Sequence, residues 1–257
     1  MINSTSNKQV KRVVSLRSKA KARREEGMYV VEGLRMCREL NPEDVDALYV
    51  TENFAGDADN RKWMGRFRPE TVSDVVMNVM ADTQTPQGVL AVVRQKRYTM
   101  DDIVKPAPDG RSLAIMVLET IQDPGNLGTM LRTADALGVP VALLDGCADP
   151  YSFKTVRASM GAVFRMAVPQ ITEEEALAQC KEKRLMLTVT ALNEQAVDIR
   201  SADLSNAVAV IGSEGQGVRK SILDAAEQSV IIPMQPHCES LNAAIAAAIV
   251  MWQMKNG

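Results

Sequence analysis

Three polar segments in the second half of the chain each follow an apolar stretch typical of a buried strand. The first contains Asn126 and Arg132, the second is GSEGQG at 212–217, and the third is IIPMQPHCESLN at 231–242. In an open parallel α/β sheet, the carboxyl ends of the strands meet at one edge, and ligands bind there. The three segments are therefore the candidate site.

The first segment runs from 119 to 138, ETIQDPGNLGTMLRTADALG. A Pro-Gly turn precedes Asn126, which is predicted to cap the following helix. Arg132 lies further along that otherwise small and apolar helix. A purely structural reading, in which Arg132 pairs with Asp135 or Asp123, is the one that these residues favour by themselves.

The second segment takes a buried strand through a glycine-rich turn into a helix, where backbone N–H groups are free to bind a ligand. It is neither a P-loop, which needs a GK[ST] sequence, nor a GxGxxG fingerprint, because its glycines fall at 212, 215 and 217. A carboxylate in the turn, Glu214, would repel a phosphate. The segment is therefore predicted to hold a ligand without a phosphate at that point.

The third segment contains the only histidine of the chain, His237, next to Cys238. Adjacent side chains on an extended loop point in different directions, and no third group is available to orient the imidazole, so a nucleophilic pair is not expected. Ser240 is predicted to cap the final helix, which is rich in small residues. Ser240, Leu241 and Asn242 are the better candidates for chemistry.

The C-terminal part alternates between apolar strands and helices. Nearly continuous Val, Ile and Leu strands separated by helices predict an α/β fold with a parallel sheet covered on both faces. The predicted strands are 113–120, 139–146, 185–192, 207–215 and 229–234.

The N-terminal part reads as a small α/β unit that begins with a basic helix over 7–26, ended by Gly27. A polar stretch rich in proline follows this unit. The predicted domains are 1–105 and 113–257, joined by a linker at 106–112.

Basic residues are concentrated at the start of the chain. Net charge is −2, yet residues 1–24 carry eight bases and no acid. Such a run is often a solvated helix face, and it can also bind the phosphates of a nucleic acid. The candidate phosphate-binding residues, which would bind RNA if the nucleic acid is RNA, are Lys8, Lys11, Arg12, Arg17, Lys19, Arg23 and Arg24.

Composition limits the remaining classes. The chain has 257 residues, 46% hydrophobic and 24% charged, which fits one large or two ordinary globular domains. An uncharged apolar run of about 18 residues, which a membrane span would need, is missing. So is an apolar signal core at the N-terminus. Four scattered cysteines make disulfides and structural zinc unexpected, and a cytoplasmic location fits.

Taken together and in this order, Asn126 with Arg132, then GSEGQG, then IPM followed by SLN resemble the three motifs of the SpoU/TrmH family. Its members are RNA ribose 2′-O-methyltransferases that use S-adenosylmethionine. The resemblance covers residues 113–257. Residues 7–36 are also similar to the opening of the family's RNA-binding domain.

The resemblance implies a methyltransferase domain whose end is threaded as a deep trefoil knot, against the general rule that chains do not knot. It also implies a homodimer packed through this domain and a donor pocket made by three loops, near 190–194, 212–217 and 232–242. No metal is implied. Cofactor-binding residues would be Leu192, Gly212, Gly215, Ile232, Met234 and Leu241. Catalytic residues would be Asn126, Arg132, Glu214, Ser240 and Asn242.

Methyl transfer to a ribose hydroxyl needs alignment of the reactants and removal of a proton. Arg132 is the family's suspected base, yet a guanidinium resists deprotonation. Our hypothesis is that Arg132 clamps the adjacent phosphate, whose oxygen helps to accept the proton. Asn126 would orient the ribose or the arginine, and Glu214 would hold Arg132 or polar loop groups. Pro236 replaces a glycine that is common in relatives, which indicates a differently shaped loop.

Ribosomal RNA is the expected substrate, because a basic helix plus a small domain resembles that branch of the family. Transfer RNA is the alternative. A knotted RNA-binding protein without activity would be expected to have damaged motifs, whereas here all five catalytic positions match. Methylation of a base nitrogen is disfavoured by the motif order, and an oxidoreductase by the missing dinucleotide fingerprint.

Overall fold

The computed structural model describes residues 1–104, 113–191, 193, 195–213, 215–238 and 240–256. The predicted linker 106–112, together with Leu192 and Glu214, lies outside these residues. Two compact units are present. The first comprises Met1–Lys96 and Tyr151–Gly161, and the second Arg97–Pro150 and Ala162–Gly257. The sequence-based boundaries did not anticipate that a segment of the C-terminal part belongs with the first unit.

The first unit is built around a four-stranded sheet. Its elements up to residue 96 are α1 Lys8–Ser18, α2 Ala20–Glu26, β1 Met28–Glu32, α3 Leu34–Glu39, β2 Val45–Thr51, α4 Glu52–Gly56, α5 Ala58–Met64, β3 Glu70–Val72, α6 Asp74–Met80 and β4 Val89–Arg94. The strand order is β1-β4-β2-β3, with β4 antiparallel to both neighbours and β3 parallel to β2. On α1, Val10, Val13 and Leu16 share one face and are fully buried in the core of this unit.

The basic segment forms two helices, so the predicted single helix over 7–26 is wrong. The break falls at Lys19, whose backbone is extended (φ −119°, ψ 115°). Arg23 is buried, and its Nη1 donates to the carbonyl oxygens of Leu16 at 2.7 Å and Arg17 at 3.2 Å. Carbonyl oxygens at the C-terminal end of a helix have no hydrogen-bond donor within the helix, and Arg23 is the donor for two of them at the end of α1.

The remaining elements alternate as the sequence predicted. They are α7 Met100–Ile103, β5 Ile115–Leu118, α8 Pro124–Leu137, β6 Val141–Leu143, α9 Phe153–Ser159 (part of the first unit), α10 Ala162–Arg165, α11 Glu173–Lys183, β7 Met186–Thr190, β8 Val197–Asp198, β9 Ala207–Ile211, α12 Lys220–Ala225, β10 Gln228–Ile231 and α13 Ala243–Asn256. In the described parts of the chain, no helix has both the length and the apolar character needed to cross a membrane.

The second unit contains a six-stranded sheet in the order β6-β5-β9-β7-β10-β8, and every neighbouring pair is parallel. Alternate side chains of each strand serve two cores. Met116 and Leu118 of β5 pack with residues of α8 and α13, whereas Ile115 and Val117 pack with residues of α11 and α12. Burial on both faces accounts for the apolar strands, and the predicted parallel α/β fold is confirmed. The trefoil knot stays a prediction.

The strand order determines where the three motifs meet. Strand β9 lies between β5 and β7, and β7 lies between β9 and β10. Because all these strands are parallel, their carboxyl ends form one continuous edge of the sheet. The segments that leave β5, β7, β9 and β10 are therefore neighbours, although they are up to about a hundred residues apart in sequence.

Candidate active site

A cavity of about 450 Å³ opens at the carboxyl ends of β7, β9 and β10, beside the start of α13. Four predicted cofactor-binding residues and one predicted catalytic residue line it: Gly212, Ile232, Met234, Leu241 and Ser240. Its volume is within the range of roughly 300–1,000 Å³ that small-molecule sites occupy.

The described lining of this cavity carries no charged side chain. Apolar groups such as Val218, Ile232 and Leu241 alternate with backbone and a few neutral polar groups, among them Thr190 and Asn193. Phosphate groups are usually held by arginine, lysine or a helix N-terminus. The lining therefore fits a nucleoside without a phosphate, and S-adenosylmethionine is such a nucleoside. We call this cavity the donor pocket.

Gly212 is required by the turn that closes one wall of the donor pocket. A Cβ atom at this position would lie 2.1 Å from both the carbonyl carbon and oxygen of Gly217. The turn is closed by the Gly217 N–H, which donates to the Ser213 carbonyl at 2.9 Å, and Gly217 itself has a φ of 67°. A side chain at 212 would force this turn open.

Gly215 faces a different space from the one predicted. It lines a second cavity of about 250 Å³, together with Thr120, Gln122 and Asn126. Ser213, Gln216 and Ala243 line both cavities. The second cavity therefore lies against the donor pocket, and its lining is richer in polar groups. We call it the acceptor cavity.

Helix capping differs from the prediction at both candidate positions. The N-cap of α8 is Asp123, whose Oδ1 accepts from the Asn126 N–H at 2.8 Å, because Pro124 already occupies the first helical position. Asn242 caps α13, since its Oδ1 accepts from the Ala244 N–H at 2.9 Å. The predicted caps, Asn126 and Ser240, are both wrong.

The asparagine of the first motif and the asparagine of the third motif are in direct contact. Asn242 Nδ2 donates to Asn126 Oδ1 at 3.2 Å, which joins residues 116 positions apart in sequence. Asn126 lines the acceptor cavity, whereas the residues on either side of Asn242 line the donor pocket. The contact therefore ties the first and third motifs together at the boundary between the two cavities.

Arg132 is exposed on α8, and neither of its predicted partners pairs with it. Asp135 binds Arg165 instead, with a separation of 2.7 Å between Nη2 and Oδ2, and Asp123 caps the helix. Within the described residues, Arg132 makes no hydrogen bond or ion pair. Its guanidinium is therefore available to an anion.

The predicted RNA-binding bases divide into two groups. Arg12 pairs with Glu26 at 2.6 Å and Asp46 at 2.7 Å, Arg17 donates to backbone carbonyls at the end of α6, and Arg23 is buried. These three arginines hold the first unit together. The exposed members are Lys8, Lys11, Lys19 and Arg24.

His237 and Cys238 are both exposed, and neither lines the donor pocket or the acceptor cavity. Over the described ranges, no group of three or more His, Cys, Asp or Glu side chains is arranged to hold a metal ion.

Sequence reasoning missed an ion-pair network beside the site. Glu119, only 2% exposed at the end of β5, accepts from both the backbone N–H and the Nε of Arg219. Nη2 of Arg219 also binds Asp145 at 2.7 Å. Hydrogen bonds to Glu119 and then to Asp145 raise the pKa of Arg219 above its ordinary value. An acidic residue closing an apolar strand was the available signal.

Two adjoining cavities, one without a charged side chain among its described lining residues and one more polar, fit a nucleoside donor beside a polar acceptor. Residues 114–252 match the SpoU rRNA Methylase family, and residues 7–91 match the MRM3-like substrate binding domain. The chain therefore belongs to the SpoU rRNA methylase family.

Relatives match over nearly the whole chain. The chain is 28% identical over 257 residues to the 23S rRNA (guanosine(2553)-2′-O)-methyltransferase RlmP of Bacillus subtilis, covering 99% of this chain and 98% of that protein. It is 31% identical over 263 residues to an uncharacterized tRNA/rRNA methyltransferase of Synechocystis, covering 99% and 93%. The crystal structure of an AdoMet-bound rRNA methyltransferase from Sinorhizobium meliloti has a TM-score of 0.83 and 26% identity, covering 99% and 97%.

The glycine turn yields a paired prediction. We expect Gly212→Ala to weaken S-adenosylmethionine binding at least tenfold, about 1.4 kcal/mol, because the added methyl group collides with the Gly217 backbone. Gly215→Ala is the control, since a Cβ there has no neighbour within 4 Å, and its affinity should stay within about twofold of wild type. Calorimetric titration of both variants measures this. Equal affinities in two folded variants would refute the assigned role of Gly212.

Proposed function

We propose that this chain transfers a methyl group from S-adenosylmethionine to a ribose 2′-hydroxyl of ribosomal RNA. The observation that carries the proposal is the junction of the two cavities. There Asn126 and Asn242 are hydrogen-bonded at 3.2 Å, and the motif that contains Asn126 also presents an exposed arginine that has no hydrogen bond or ion pair with any described residue. Family membership makes the chain an S-adenosylmethionine-dependent RNA methyltransferase.

S-adenosylmethionine supplies a methyl group activated by a positively charged sulfur. The chain binds it with the uncharged walls of the donor pocket, where Gly212 keeps the turn closed and Ile232 and Leu241 contribute apolar contact. Exclusion of water from these walls and fixed alignment of the reactants supply much of the rate of a single displacement. The trefoil knot implied by the family would connect the same loops, and we include it in the proposal.

On the acceptor side, Asn126 is placed to hold the ribose, since its side chain is fixed by Asn242 and lines the acceptor cavity. Arg132 then binds the phosphate next to the reacting nucleotide. A guanidinium keeps its proton at neutral pH, so it acts by charge, and a phosphate oxygen helps to accept the hydroxyl proton. Glu214 belongs to this proposal through its motif position alone.

The test is a tritium-transfer assay with labelled S-adenosylmethionine and either total ribosomal or total transfer RNA. We expect label in ribosomal RNA as an alkali-resistant dinucleotide, because a 2′-O-methyl group blocks alkaline cleavage. Arg132→Ala should lower kcat by about 100-fold or more while donor affinity is unchanged, since it removes charge stabilisation from the acceptor side alone. Arg200→Ala, which removes an exposed arginine whose ion pair among the described residues is with Asp198, should retain full activity.

Each other result leads to a different conclusion. Label confined to transfer RNA would reject the ribosomal substrate and retain the chemistry. Label that survives as a modified base would reject ribose methylation. Loss of RNA binding and of catalysis in equal proportion in Arg132→Ala would leave no specific role for this arginine in the chemical step.

Support for ribosomal RNA comes from RlmP of Bacillus subtilis, a 23S rRNA methyltransferase that matches this chain over nearly its whole length. The N-terminal unit supplies a surface for the RNA, since residues 7–91 match the MRM3-like substrate binding domain. Five bases of α1, α2 and the break between them are exposed. Lys21 lies 3.7 Å from Glu25, and the other four are placed to contact phosphates. Arg12, Arg17 and Arg23 are already engaged by the protein. We therefore assign the electrostatic contact to Lys8, Lys11, Lys19 and Arg24.

Salt dependence tests this assignment. Replacing Lys8, Lys11, Lys19 and Arg24 together by glutamine should reduce the slope of log affinity against log salt by up to about 3, because each phosphate contact contributes about 0.7 to 0.9. A charge-matched variant with glutamine at Arg61, Lys62, Arg66 and Arg68, which are also exposed in the first unit, should keep the wild-type slope. Equal losses in the two variants would contradict a localised binding arm.

We also propose that the chain is a homodimer that acts in the cytoplasm. Helix α13 buries Ala247, Val250 and Met251 in its own unit, yet Ile245 and Trp252 on its other side are 53% and 60% exposed. A helix that is apolar all round normally has a second partner. Four free cysteines suit a reducing compartment, which cell fractionation would test.

Sedimentation velocity tests the dimer. We expect wild type to sediment as a dimer and Trp252→Glu as a monomer, because a carboxylate would be buried without a partner in the interface. Val75→Glu is the matched control, since Val75 is 66% exposed on α6 of the other unit and should leave the dimer intact. A monomeric wild type, or dissociation by Val75→Glu as well, would reject this interface.

A further inference from the structure

The turn at 212–218 is held at both of its ends by a single buried residue, Glu119. Before the turn, the Glu119 N–H donates to the carbonyl of Ile211, the last residue of β9, at 2.9 Å. After the turn, Glu119 Oε2 accepts from the backbone N–H of Arg219 at 3.1 Å, and Oε1 accepts from Arg219 Nε. The residue that directly follows β5 therefore fixes the distance between the entry and the exit of the turn.

The carboxylate of Glu119 is deeply buried, so it depends on Arg219 for compensation. Glu119 is 2% exposed, and a buried charge without a partner is strongly unfavourable. Arg219 precedes α12 as its N-cap residue and has no side-chain capping bond of its own. Glu119 thus satisfies a backbone N–H and a guanidinium that the helix leaves without partners.

Arg219 is anchored in turn by two further carboxylates. Its Nη2 binds Asp145 at 2.7 Å, and its Nη1 binds Glu173 at 3.3 Å. Glu173 also accepts from the hydroxyl of Ser221 at 3.0 Å. The guanidinium therefore joins α12 to α11 and to the segments that follow β5 and β6. Arg219, the residue after the turn, has little freedom to move as a result.

Glu119 is also the residue before the segment that lines the acceptor cavity. Thr120 follows Glu119 with a φ of 54°, a conformation that is unfavourable for a residue with a side chain. Thr120, Ile121 and Gln122 then line the acceptor cavity. Glu119 and Arg219 line neither cavity, yet they fix one wall of each.

We propose that Glu119 and Arg219 are a positioning pair that keeps the turn at 212–218 closed and so determines the affinity for S-adenosylmethionine. The inference rests on the proposed function, because it takes the cavity beside the turn as the donor pocket. Neither residue touches the donor, and both act through the backbone of the turn.

The test uses Glu119→Gln, Arg219→Gln and the double variant. Each single change should raise the dissociation constant for S-adenosylmethionine at least about tenfold, and the double variant should resemble the singles, because the two residues act as a unit. The KM for the donor should rise while kcat at saturating donor stays within about threefold, since no reacting group is removed. Hydrogen exchange should accelerate at 212–219 and remain unchanged in β5 and β7.

Lys220→Gln is the matched control. Lys220 follows Arg219 and forms an exposed ion pair with Asp224 at 2.7 Å. Lys220→Gln therefore removes one positive charge at the start of α12, as Arg219→Gln does, but leaves the Glu119–Arg219 network intact. Its donor affinity should stay within about twofold of wild type. If Glu119→Gln does not fold, Arg219→Lys replaces it. That variant keeps the charge but loses the planar fork, and should also weaken donor binding and accelerate exchange at 212–219.

Unchanged donor affinity in the folded variants would overturn the proposal that Glu119 and Arg219 position the turn. A fall in kcat at constant KM, or hydrogen exchange that accelerates across the whole sheet, would also overturn it. Failure of the wild-type chain to bind S-adenosylmethionine would instead reject the proposed function. In that case the exchange measurement still decides whether Glu119 and Arg219 hold the turn.

Discussion

The site depends on the position of β9, hydrogen-bonded in parallel between β5 and β7. This order brings the glycine turn after β9 next to the segment after β5, which begins with Glu119 and continues into the acceptor cavity. Because β7 lies between β9 and β10, this order also brings the turn near the loop that follows β10. The contacts of Glu119 with both ends of the glycine turn follow from this adjacency, whereas the linked asparagines also require the packing of α8 against α13.

Several residues serve the fold and the site with the same side chain. Asn242 uses Oδ1 to cap α13 and Nδ2 to hold Asn126. The cap fixes the amide plane, so the direction of the donated hydrogen bond is set before any substrate arrives. Such preorganisation lowers the cost of aligning the reactants. Replacement of the asparagine by aspartate would keep the cap and lose the donor, which separates the two roles chemically.

The sequence allowed the α/β class and the parallel sheet to be predicted, because apolar strands separated by helices are local patterns. The donor-pocket loops were expected only from the resemblance to a known family. Capping was predicted wrongly at Asn126 and Ser240, although Pro124 after Asp123 was a usable signal for the true start of α8. The contacts of Glu119 with Arg219 and of Asn126 with Asn242 join residues 100 or more positions apart. No local pattern encodes them, since they exist only once the strand order is known.

The arginines of this chain differ in their hydrogen-bond and ion-pair partners, and these partners separate structural arginines from available ones more clearly than the sequence around them does. Arg219 is surrounded by three carboxylates, and Arg23 is folded back onto backbone carbonyls, so neither can leave its place without exposing an unsatisfied group. Arg132 stands on a small, apolar helix with no such attachment among the described residues. An exposed guanidinium that no anion of the described chain neutralises is suited to an anion that arrives with the substrate. Under the proposed function, that anion is a phosphate of the RNA chain, whose negative oxygen accepts the proton that the arginine cannot.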